Sequence, residues 1–296
     1  MSAPEHTRRY LAAVNQQADL DAIPRATIED IEIRYPDCTL AQARAIYDTW
    51  GCVVVRNLLP DHVAPILRDT EAMADAVRAS GFEARHGALI RPGDSTGRAH
   101  QIQLFYPTFM HAASTFRAAI DPRTADFLGA LIGPNVEIHS EGMLIYKEPG
   151  GGMEKSMHQD APYFYHRDHS FCTAFLHLVP TTQHNGRLHI IPGSHRLGLL
   201  EHHDRFSHMA LPPDRYPLSR ALGIDGEPGD VVFFNYFIIH GSDRNWSDTP
   251  RPALIMQYRA AEDVQLWDSC AFTADVGKLK NQKTSPKLLL CGRRAA

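Results

Sequence analysis

A histidine and an aspartate with one residue between them lie near the middle of the chain, in the segment MHQDAPYF at 157–164. If the backbone is extended there, His158 and Asp160 point to the same side, because alternate side chains of a strand share a face. Catalytic metals are usually held by three protein ligands, so this pair alone leaves its role open. It is either half of a metal site or two polar residues that are close on a loop.

A third ligand is available in the segment GDVVFFNYFIIHGSDRN at 229–245, whose β-branched and aromatic residues predict a strand leading to His240. Two imidazoles and one carboxylate can occupy one face of an octahedron, which is the open ligand set of non-haem Fe(II) oxygenases. No cysteine stands in either segment, which argues against a structural zinc site. His158, Asp160 and His240 are therefore predicted to bind Fe(II) and to leave positions for O2.

Arg251 follows His240 by eleven residues and opens the segment RPALIMQYRAA at 251–261. If this segment is a strand that pairs with the one carrying His240, the guanidinium enters the same cavity. Its planar and permanent charge is well suited to a carboxylate. The alternative is an ordinary surface arginine at the start of a strand.

The elements that must position these residues change in character along the chain. Residues 39–51 and 61–81 have apolar residues at helical spacing, with Thr39 as a candidate N-cap and Gly51 and Gly81 as candidate ends. From about 84 to 260, short β-rich segments alternate with Gly and Pro turns, a pattern typical of a β-sandwich or β-barrel. A mainly β fold with flanking helices is therefore predicted.

The composition is that of an ordinary globular protein, with 296 residues, 44% hydrophobic and 22% charged. A net charge of −4 gives no reason to expect nucleic acid as a partner. The five cysteines form no CxxC pair and indicate a reducing compartment. No stretch has the apolar length of a signal peptide or a membrane span, so we expect a soluble cytoplasmic protein without a membrane partner.

Three segments taken together, MHQDAPYF, HNGRLHIIPGSH and GEPGDVVFFNYFIIHGSDRNWSDTPRPAL, resemble the phytanoyl-CoA hydroxylase family of Fe(II)/2-oxoglutarate-dependent oxygenases. The resemblance covers roughly residues 45–262. It implies a double-stranded β-helix core, which is a jelly-roll and cupin-like fold. We expect a single oxygenase domain over 1–296, made of N-terminal support at 1–83, a core at 84–262 with a lid insert at about 197–223, and a C-terminal extension at 263–296.

The resemblance also implies roles for individual side chains. The His-x-Asp pair and the later histidine match the iron ligands of the family. Arg251 matches the residue that binds the distal carboxylate of 2-oxoglutarate, and Ser242 matches a hydroxyl that assists it. Met143 and Phe175 match positions whose side chains flank this cosubstrate.

Clues to the substrate are fewer. Gln101 and Gln103 alternate on a predicted strand, where they either hydrogen-bond the substrate or cosubstrate or simply face solvent. Basic side chains, among them Arg98, Lys147 and His166, favour an anionic or polar substrate, or are solvated at the surface.

The expected reaction is hydroxylation of an unactivated C–H bond in a small metabolite or natural-product intermediate. Fe(II), 2-oxoglutarate and O2 are the expected cofactor and cosubstrates, and succinate and CO2 are released. Relatives that halogenate have Ala or Gly in place of the carboxylate, so Asp160 favours oxygenation, while desaturation, ring formation and epimerisation stay open.

Two other classes of function fit part of the pattern. A cupin-like metal-dependent isomerase or hydrolase would need neither Arg251 nor Ser242. A non-catalytic small-molecule binder on the same barrel would not need the complete set of metal ligands. The substrate, the oligomeric state and the pathway are left open by the sequence.

Overall fold

The computed structural model describes residues 10–83, 87–92, 100–203, 209–268 and 287–294. Arg98, one of the candidate substrate contacts, lies outside these residues. The helices, α1 to α4 in chain order, are Leu40–Trp50, Pro60–Ala79, Ala113–Ala119 and Pro122–Ile132. The strands, β1 to β16 in chain order, are Glu32–Arg34, Cys52–Arg56, Ala88–Pro92, His100–Phe105, Val136–Ile138, Met143–Lys147, Lys155–His158, Phe164–His166, Cys172–His177, Leu188–Ile191, Leu222–Ile224, Val231–Asn235, Ile239–Ser242, Arg251–Ala260, Gln265–Asp268 and Leu289–Cys291.

Both predicted N-terminal helices are present, and the ends of α1 follow from its sequence. The Thr39 hydroxyl accepts from the Gln42 backbone N at 3.2 Å, and the Gln42 side chain accepts from the Thr39 backbone N at 2.8 Å. This capping box satisfies amides that the first turn leaves free. Gly51 ends the helix with φ 70°, a left-handed conformation that glycine adopts without steric cost.

The strands of the described ranges form two main sheets. The larger sheet has the order β1-β2-β12-β9-β14-β6-β4-β3, with β5 beside β14 and β16 beside β5. The smaller sheet has the order β11-β10-β13-β7, and β15 pairs separately with β8. Apart from the parallel pair β1–β2, the pairings are antiparallel. The predicted fold class, a mainly β jelly roll with flanking helices, is confirmed.

The two sheets face each other across an interior that both line with apolar side chains. Phe175 of β9, Val232 of β12 and Ala253 of β14 pack with Leu188 and Ile190 of β10. Because side chains alternate along a strand, the odd-numbered residues of β9 and β14 face this interior, and the even-numbered ones face outwards.

The outer face of the larger sheet is covered by helices. Leu176, Leu254 and Met256 share one apolar cluster with Ile66 of α2 and Phe127 of α4. Burying a side chain of this size contributes about 1.5–3 kcal/mol. The helices therefore stabilise the sheet from outside and leave its inner face for the site.

The predicted insert is well packed where the structure describes it. Leu200, Leu211 and Tyr216 lie against Ile239 of β13 in one apolar cluster, and residues 204–208 are outside the described residues. Its role as a lid, like the division of the chain given above, stays a prediction. None of the helices in the described ranges combines the length and apolar content that a bilayer crossing needs.

Candidate metal centre

Two neighbouring strands of the smaller sheet bring the candidate ligands together. His158 at the end of β7 is the register partner of His240 on β13, and their ring centroids are 4.2 Å apart. Asp160 follows two residues after β7. Its Oδ1 lies 3.8 Å from His158 Nε2 and 3.7 Å from His240 Nε2. One ligand atom from each of the three residues therefore lies within 4.8 Å of the others.

Both imidazoles are held with Nε2 facing the centre. His158 Nδ1 donates to the Ser156 carbonyl at 2.9 Å, and His240 Nδ1 donates to the Ile238 carbonyl at 3.0 Å. Since a carbonyl oxygen only accepts, each Nδ1 carries a proton, and in the neutral ring the lone pair is therefore on Nε2. Nε2 is then the nitrogen that can bind a metal.

The carboxylate is oriented from the opposite sheet. Thr173 of β9 donates its hydroxyl to Asp160 Oδ2 at 3.0 Å, which leaves Oδ1 turned toward the two histidines. Gln159 lies between the ligands in sequence but bonds the other way, to the carbonyls of Gly198 and Phe237 at 2.8 and 2.7 Å. Sequence reasoning did not single out Thr173 or Gln159, although alternation alone turns Gln159 away from its two neighbours.

The donor set fits a divalent metal that needs open coordination positions. The three side chains are 10–13% exposed, so the centre is sheltered but reachable. Two imidazole nitrogens and one carboxylate oxygen suit Fe(II) and leave the remaining positions of an octahedron for other ligands.

Arg251 enters the interior by a different route from the one predicted. Its strand β14 belongs to the larger sheet and pairs with β9, β6 and β5, so the predicted pairing with the strand of His240 is wrong. The side chain is still on the interior face, because odd-numbered residues of β14 point inwards. It is only 2% exposed, which also excludes the surface alternative.

The guanidinium of Arg251 lacks an anionic partner among the described residues. Its Nη2 donates to the Gly186 carbonyl at 2.5 Å, whereas Nε and Nη1 are buried without a hydrogen-bond partner. Burial lowers the Arg251 pKa to about 9. A buried guanidinium with unpaired N–H groups favours a bound carboxylate, because the carboxylate neutralises the charge and accepts the hydrogen bonds at the same time.

Lys147 is a second buried cation beside Arg251, and its interpretation as a solvated residue is wrong. It is the register partner of Arg251 on β6, is 0% exposed, and donates through Nζ to the Asp243 carbonyl. Burial and, next, the charge of Arg251 hold the Lys147 pKa well below its usual value. Neither cation has a carboxylate within ion-pair distance in the described part of the chain. The sequence showed only a lysine at the end of a strand, without its burial.

The remaining candidate residues line the same interior. Met143 of β6 and Phe175 of β9 are register partners of the same β14 residue, Ile255, on its two sides. Ser242 is two residues beyond His240 on β13, so the two share a face. Ser242 is 6% exposed.

The strand glutamines are also buried. Gln103 is 8% exposed and Gln101 is 3% exposed, so the solvent-facing alternative is wrong for both. Gln101 Nε2 has no hydrogen-bond partner in the part of the chain that the structure describes. His166, also interpreted as a surface residue in one reading of the sequence, is 0% exposed.

A second histidine-carboxylate cluster lies between α2 and α4 and has a different character. Asp61, His62 and Asp121 also bring three ligand atoms within 4.8 Å of one another. Arg123 bonds both carboxylates, at 2.9 Å to Asp61 and 2.8 Å to Asp121, and His62 Nε2 is 2.8 Å from Asp121 Oδ2. These atoms are therefore already engaged with one another.

Comparisons with known proteins place the fold and the site in context. The model of the phytanoyl-CoA dioxygenase (PhyH) family matches residues 47–253. The peroxisomal phytanoyl-CoA dioxygenase of Mus musculus is 28% identical over 239 residues, which are 76% of this chain and 69% of that protein.

Solved structures share the architecture. The α-ketoglutarate-dependent epimerase SnoN from nogalamycin biosynthesis aligns with a TM-score of 0.62 at 21% identity, over 87% of this chain and 98% of that one. EctD from S. alaskensis, crystallised with 2-oxoglutarate and 5-hydroxyectoine, aligns with a TM-score of 0.61 at 24% identity, over 86% and 89%. At this level of identity the likeness shows the common fold.

Proposed function

Because this chain belongs to the phytanoyl-CoA dioxygenase family, a family of Fe(II)/2-oxoglutarate-dependent oxygenases, we propose that it hydroxylates an unactivated C–H bond of a small molecule. The observation that carries this proposal is the grouping of one ligand atom from each of the three residues within 4.8 Å, while both Nδ1 atoms and Asp160 Oδ2 bond to groups outside the cluster. The substrate belongs to the metabolites or natural-product intermediates that are small enough to enter a jelly-roll interior.

His158, Asp160 and His240 are the proposed iron ligands. When bound, Fe(II) and 2-oxoglutarate supply the activation of O2, with conversion of the oxoacid to succinate and CO2 and insertion of one oxygen atom into the substrate. The protein contributes the orientation of the ligands. The carbonyls of Ser156 and Ile238 set the two imidazoles, and the Thr173 hydroxyl sets the carboxylate.

Arg251 is the proposed partner of the distal carboxylate of 2-oxoglutarate, with Ser242 and Lys147 beside it. The unpartnered Nε and Nη1 of Arg251 support this assignment. A bound carboxylate would also offset the repulsion between two neighbouring buried cations. Met143 and Phe175 are proposed to flank the cosubstrate, and Gln103 to hydrogen-bond the cosubstrate or the substrate.

The alternatives are less consistent with these observations. A cupin-like isomerase or hydrolase has no use for two buried basic side chains that lack a carboxylate partner among the described residues, and a non-catalytic binder has no use for three grouped metal ligands. Epimerisation uses the same centre, and the epimerase SnoN shares the fold. The outcome of the reaction therefore depends on the substrate and must be read from the product.

The test is a substrate screen on the purified protein with Fe(II), 2-oxoglutarate and O2. Substrates are identified by succinate formed above the rate without added compound, and products by mass spectrometry. Gain of one oxygen atom supports hydroxylation, whereas loss of two hydrogens or an unchanged mass with altered stereochemistry contradicts it. A protein that neither binds 2-oxoglutarate in the presence of Fe(II) nor forms succinate contradicts the whole assignment.

A further inference from the structure

Two buried histidines lie beyond the metal ligands on the same interior. His139 follows β5, His166 ends β8, and their ring centroids are 5.4 Å apart. They are 1% and 0% exposed. The His139 backbone N donates to the Gln257 carbonyl at 2.7 Å, and Gln257 is the register partner of Thr173, whose hydroxyl holds Asp160. His139 is thus two strands away from Thr173 on the same face of the sheet.

These histidines carry ring nitrogens without partners. His166 Nδ1 donates to the Phe164 carbonyl at 2.5 Å, which leaves Nε2 as an acceptor, and Nε2 is unpartnered. Within the described residues, His139 has no hydrogen bond at either Nδ1 or Nε2. Buried polar atoms are nearly always satisfied in proteins, so an unsatisfied pair on the sheet face that also carries Thr173 points to a ligand.

The surroundings keep both rings neutral. Burial lowers the His166 pKa to about 4 and holds the His139 pKa well below its usual value. The positive charges of Arg259 and Lys287 act in the same direction on His139, and Arg259 does so on His166, where Asp263 partly opposes it. Each ring therefore offers one N–H and one lone pair.

The walls around the pair are aromatic. Phe164 lies 4.9 Å and Phe171 4.8 Å from the His139 ring, measured between centroids. Phe164 is four residues beyond Asp160 in sequence and is partly exposed. The rings in contact with the pair are therefore aromatic.

We propose that His139 and His166 bind an uncharged hydroxyl or N–H group of the substrate and thereby orient it toward the metal centre. This inference rests on the proposed function. His166 Nε2 accepts the hydrogen of that group, and the N–H of His139 donates to the hydroxyl oxygen or, in an amide, to the carbonyl oxygen beside the N–H. A carboxylate or phosphate is disfavoured, because its oxygens would meet the Nε2 lone pair of His166 and an apolar wall.

The experiment measures binding of four ring compounds of similar size that differ in their polar group: benzyl alcohol, benzamide, benzoate and toluene. Each is titrated by calorimetry into the anaerobic protein loaded with Fe(II) and 2-oxoglutarate. The alcohol and the amide are expected to bind roughly five- to tenfold more tightly than toluene, the gain of a typical hydrogen bond. Benzoate should bind no more tightly than toluene.

Variants localise the effect. His139→Phe and His166→Phe keep an aromatic ring but remove the nitrogens, and in each the advantage of benzyl alcohol over toluene should disappear. His195→Gln is the control, since this half-buried histidine packs against Gly51 and should retain the wild-type ranking. If a variant folds poorly, the order of the four affinities in the wild-type protein still tests the histidine assignment.

The outcomes separate this inference from the function on which it rests. Three results with wild-type protein that binds 2-oxoglutarate overturn the histidine assignment alone. These are equal affinity for toluene and benzyl alcohol, a preference for benzoate, and binding of none of the four compounds. A wild type that fails to bind 2-oxoglutarate contradicts the proposed function and with it the role of this pair. Retention of the alcohol preference in both Phe variants also overturns the assignment.

Discussion

Two clusters of histidine and aspartate in this molecule have similar composition, but only one of them is arranged as a candidate metal site. His158, Asp160 and His240 on one side, and Asp61, His62 and Asp121 on the other, each bring three ligand atoms within 4.8 Å. In the first cluster, both Nδ1 atoms and Asp160 Oδ2, which point away from the centre, are engaged by hydrogen bonds to groups outside the cluster. In the second, Arg123 and the cluster members themselves engage the atoms that point inwards.

The difference shows that proximity of ligand atoms does not define a metal site. Arg123 neutralises the two carboxylates and fixes their geometry with bonds of 2.8–3.0 Å, so the second cluster is a complete ion-pair network at the start of α4. The first cluster has one carboxylate and two imidazoles, and the hydrogen bonds that orient them come from a hydroxyl and two backbone carbonyls rather than from a cation. A metal ion would bind the two Nε2 atoms and Asp160 Oδ1, which face the centre of this cluster.

The largest expected effect comes from removing the carboxylate of the first cluster. Asp160→Ala deletes a proposed iron ligand, so Fe(II) binding and 2-oxoglutarate turnover should fall by more than about 100-fold, beyond the loss expected for a residue that only supports a ligand. Fe(II) binding is measured by anaerobic titration and turnover by succinate formation.

The contrasting variant is Asp121→Ala in the second cluster. It should keep Fe(II) binding and succinate formation within about twofold of wild type, while lowering the melting temperature because Arg123 and His62 lose their partner. A turnover loss in this variant equal to that of Asp160→Ala, at a temperature where both are folded, would remove the distinction between the two clusters.

The next effect concerns the buried cations. Arg251→Met should raise the KM for 2-oxoglutarate roughly 30-fold or more, because truncating one member of a buried charge pair costs about 2–5 kcal/mol. Lys147→Met should raise it less, since Lys147 presents a point charge and already bonds the Asp243 carbonyl. Steady-state kinetics with varied 2-oxoglutarate measure both.

Exposed Arg167, which pairs with Asp168 at 2.7 Å, provides the control. Arg167→Met removes a cation of the same type but should leave the KM unchanged, because surface ion pairs contribute little and this one is outside the interior. An unchanged KM in Arg251→Met would show that the guanidinium does not bind 2-oxoglutarate.

The metal-ligand candidates were accessible from sequence because their signal is local. His-x-Asp needs only an extended backbone to share a face, and His240 ends a strongly β-patterned segment. The position of Arg251 after His240 made it a candidate as well, and the resemblance of three segments to one family then implied a role for each of these residues. The β-rich pattern from about 84 onwards likewise predicted the sheet-based core.

What the sequence did not reveal depends on contacts between distant segments. The partner strands of β14 are set by the packing of the whole sheet, so the predicted pairing with the strand of His240 was wrong even though Arg251 faces the interior. The burial of Lys147 and His166 has the same origin. Thr173 is thirteen residues from Asp160, and nothing local distinguishes it from other strand threonines.

A smaller effect is expected from Thr173→Val, which removes one hydroxyl at nearly constant volume. Loss of the 3.0 Å bond to Asp160 Oδ2 should weaken Fe(II) binding about 10- to 100-fold, in the range typical of residues that orient a ligand. The control is Thr115→Val, which deletes an equally buried hydroxyl bonded to the Ala112 carbonyl. Equal Fe(II) affinity in the two variants would show that Asp160 is oriented without this bond.

The smallest effect sharpens the description of the second cluster through the pH dependence of stability. The hydrogen bond from Arg123 holds the Asp121 pKa well below its usual value of 3.8. Burial acts in the opposite direction, and a hydrogen bond with His62 lowers the pKa further. The unfolded chain therefore binds a proton near pH 3.8 that the folded protein still excludes. The stabilisation by Asp121 is present above that pH and is lost as the pH falls below it.

Asp121→Asn should abolish this contribution, so the free energy of unfolding of the wild type should fall more steeply than that of the variant as the pH is lowered from 5 toward 3. Urea unfolding at a series of fixed pH values gives the free energy of unfolding of both proteins as a function of pH. Other titrating groups contribute equally to both to first order, so the difference between the two slopes reports Asp121. Parallel slopes would mean that Arg123 does not hold the Asp121 carboxylate in its charged form. The second cluster would then lose the ion-pair character that distinguishes it from the candidate metal centre.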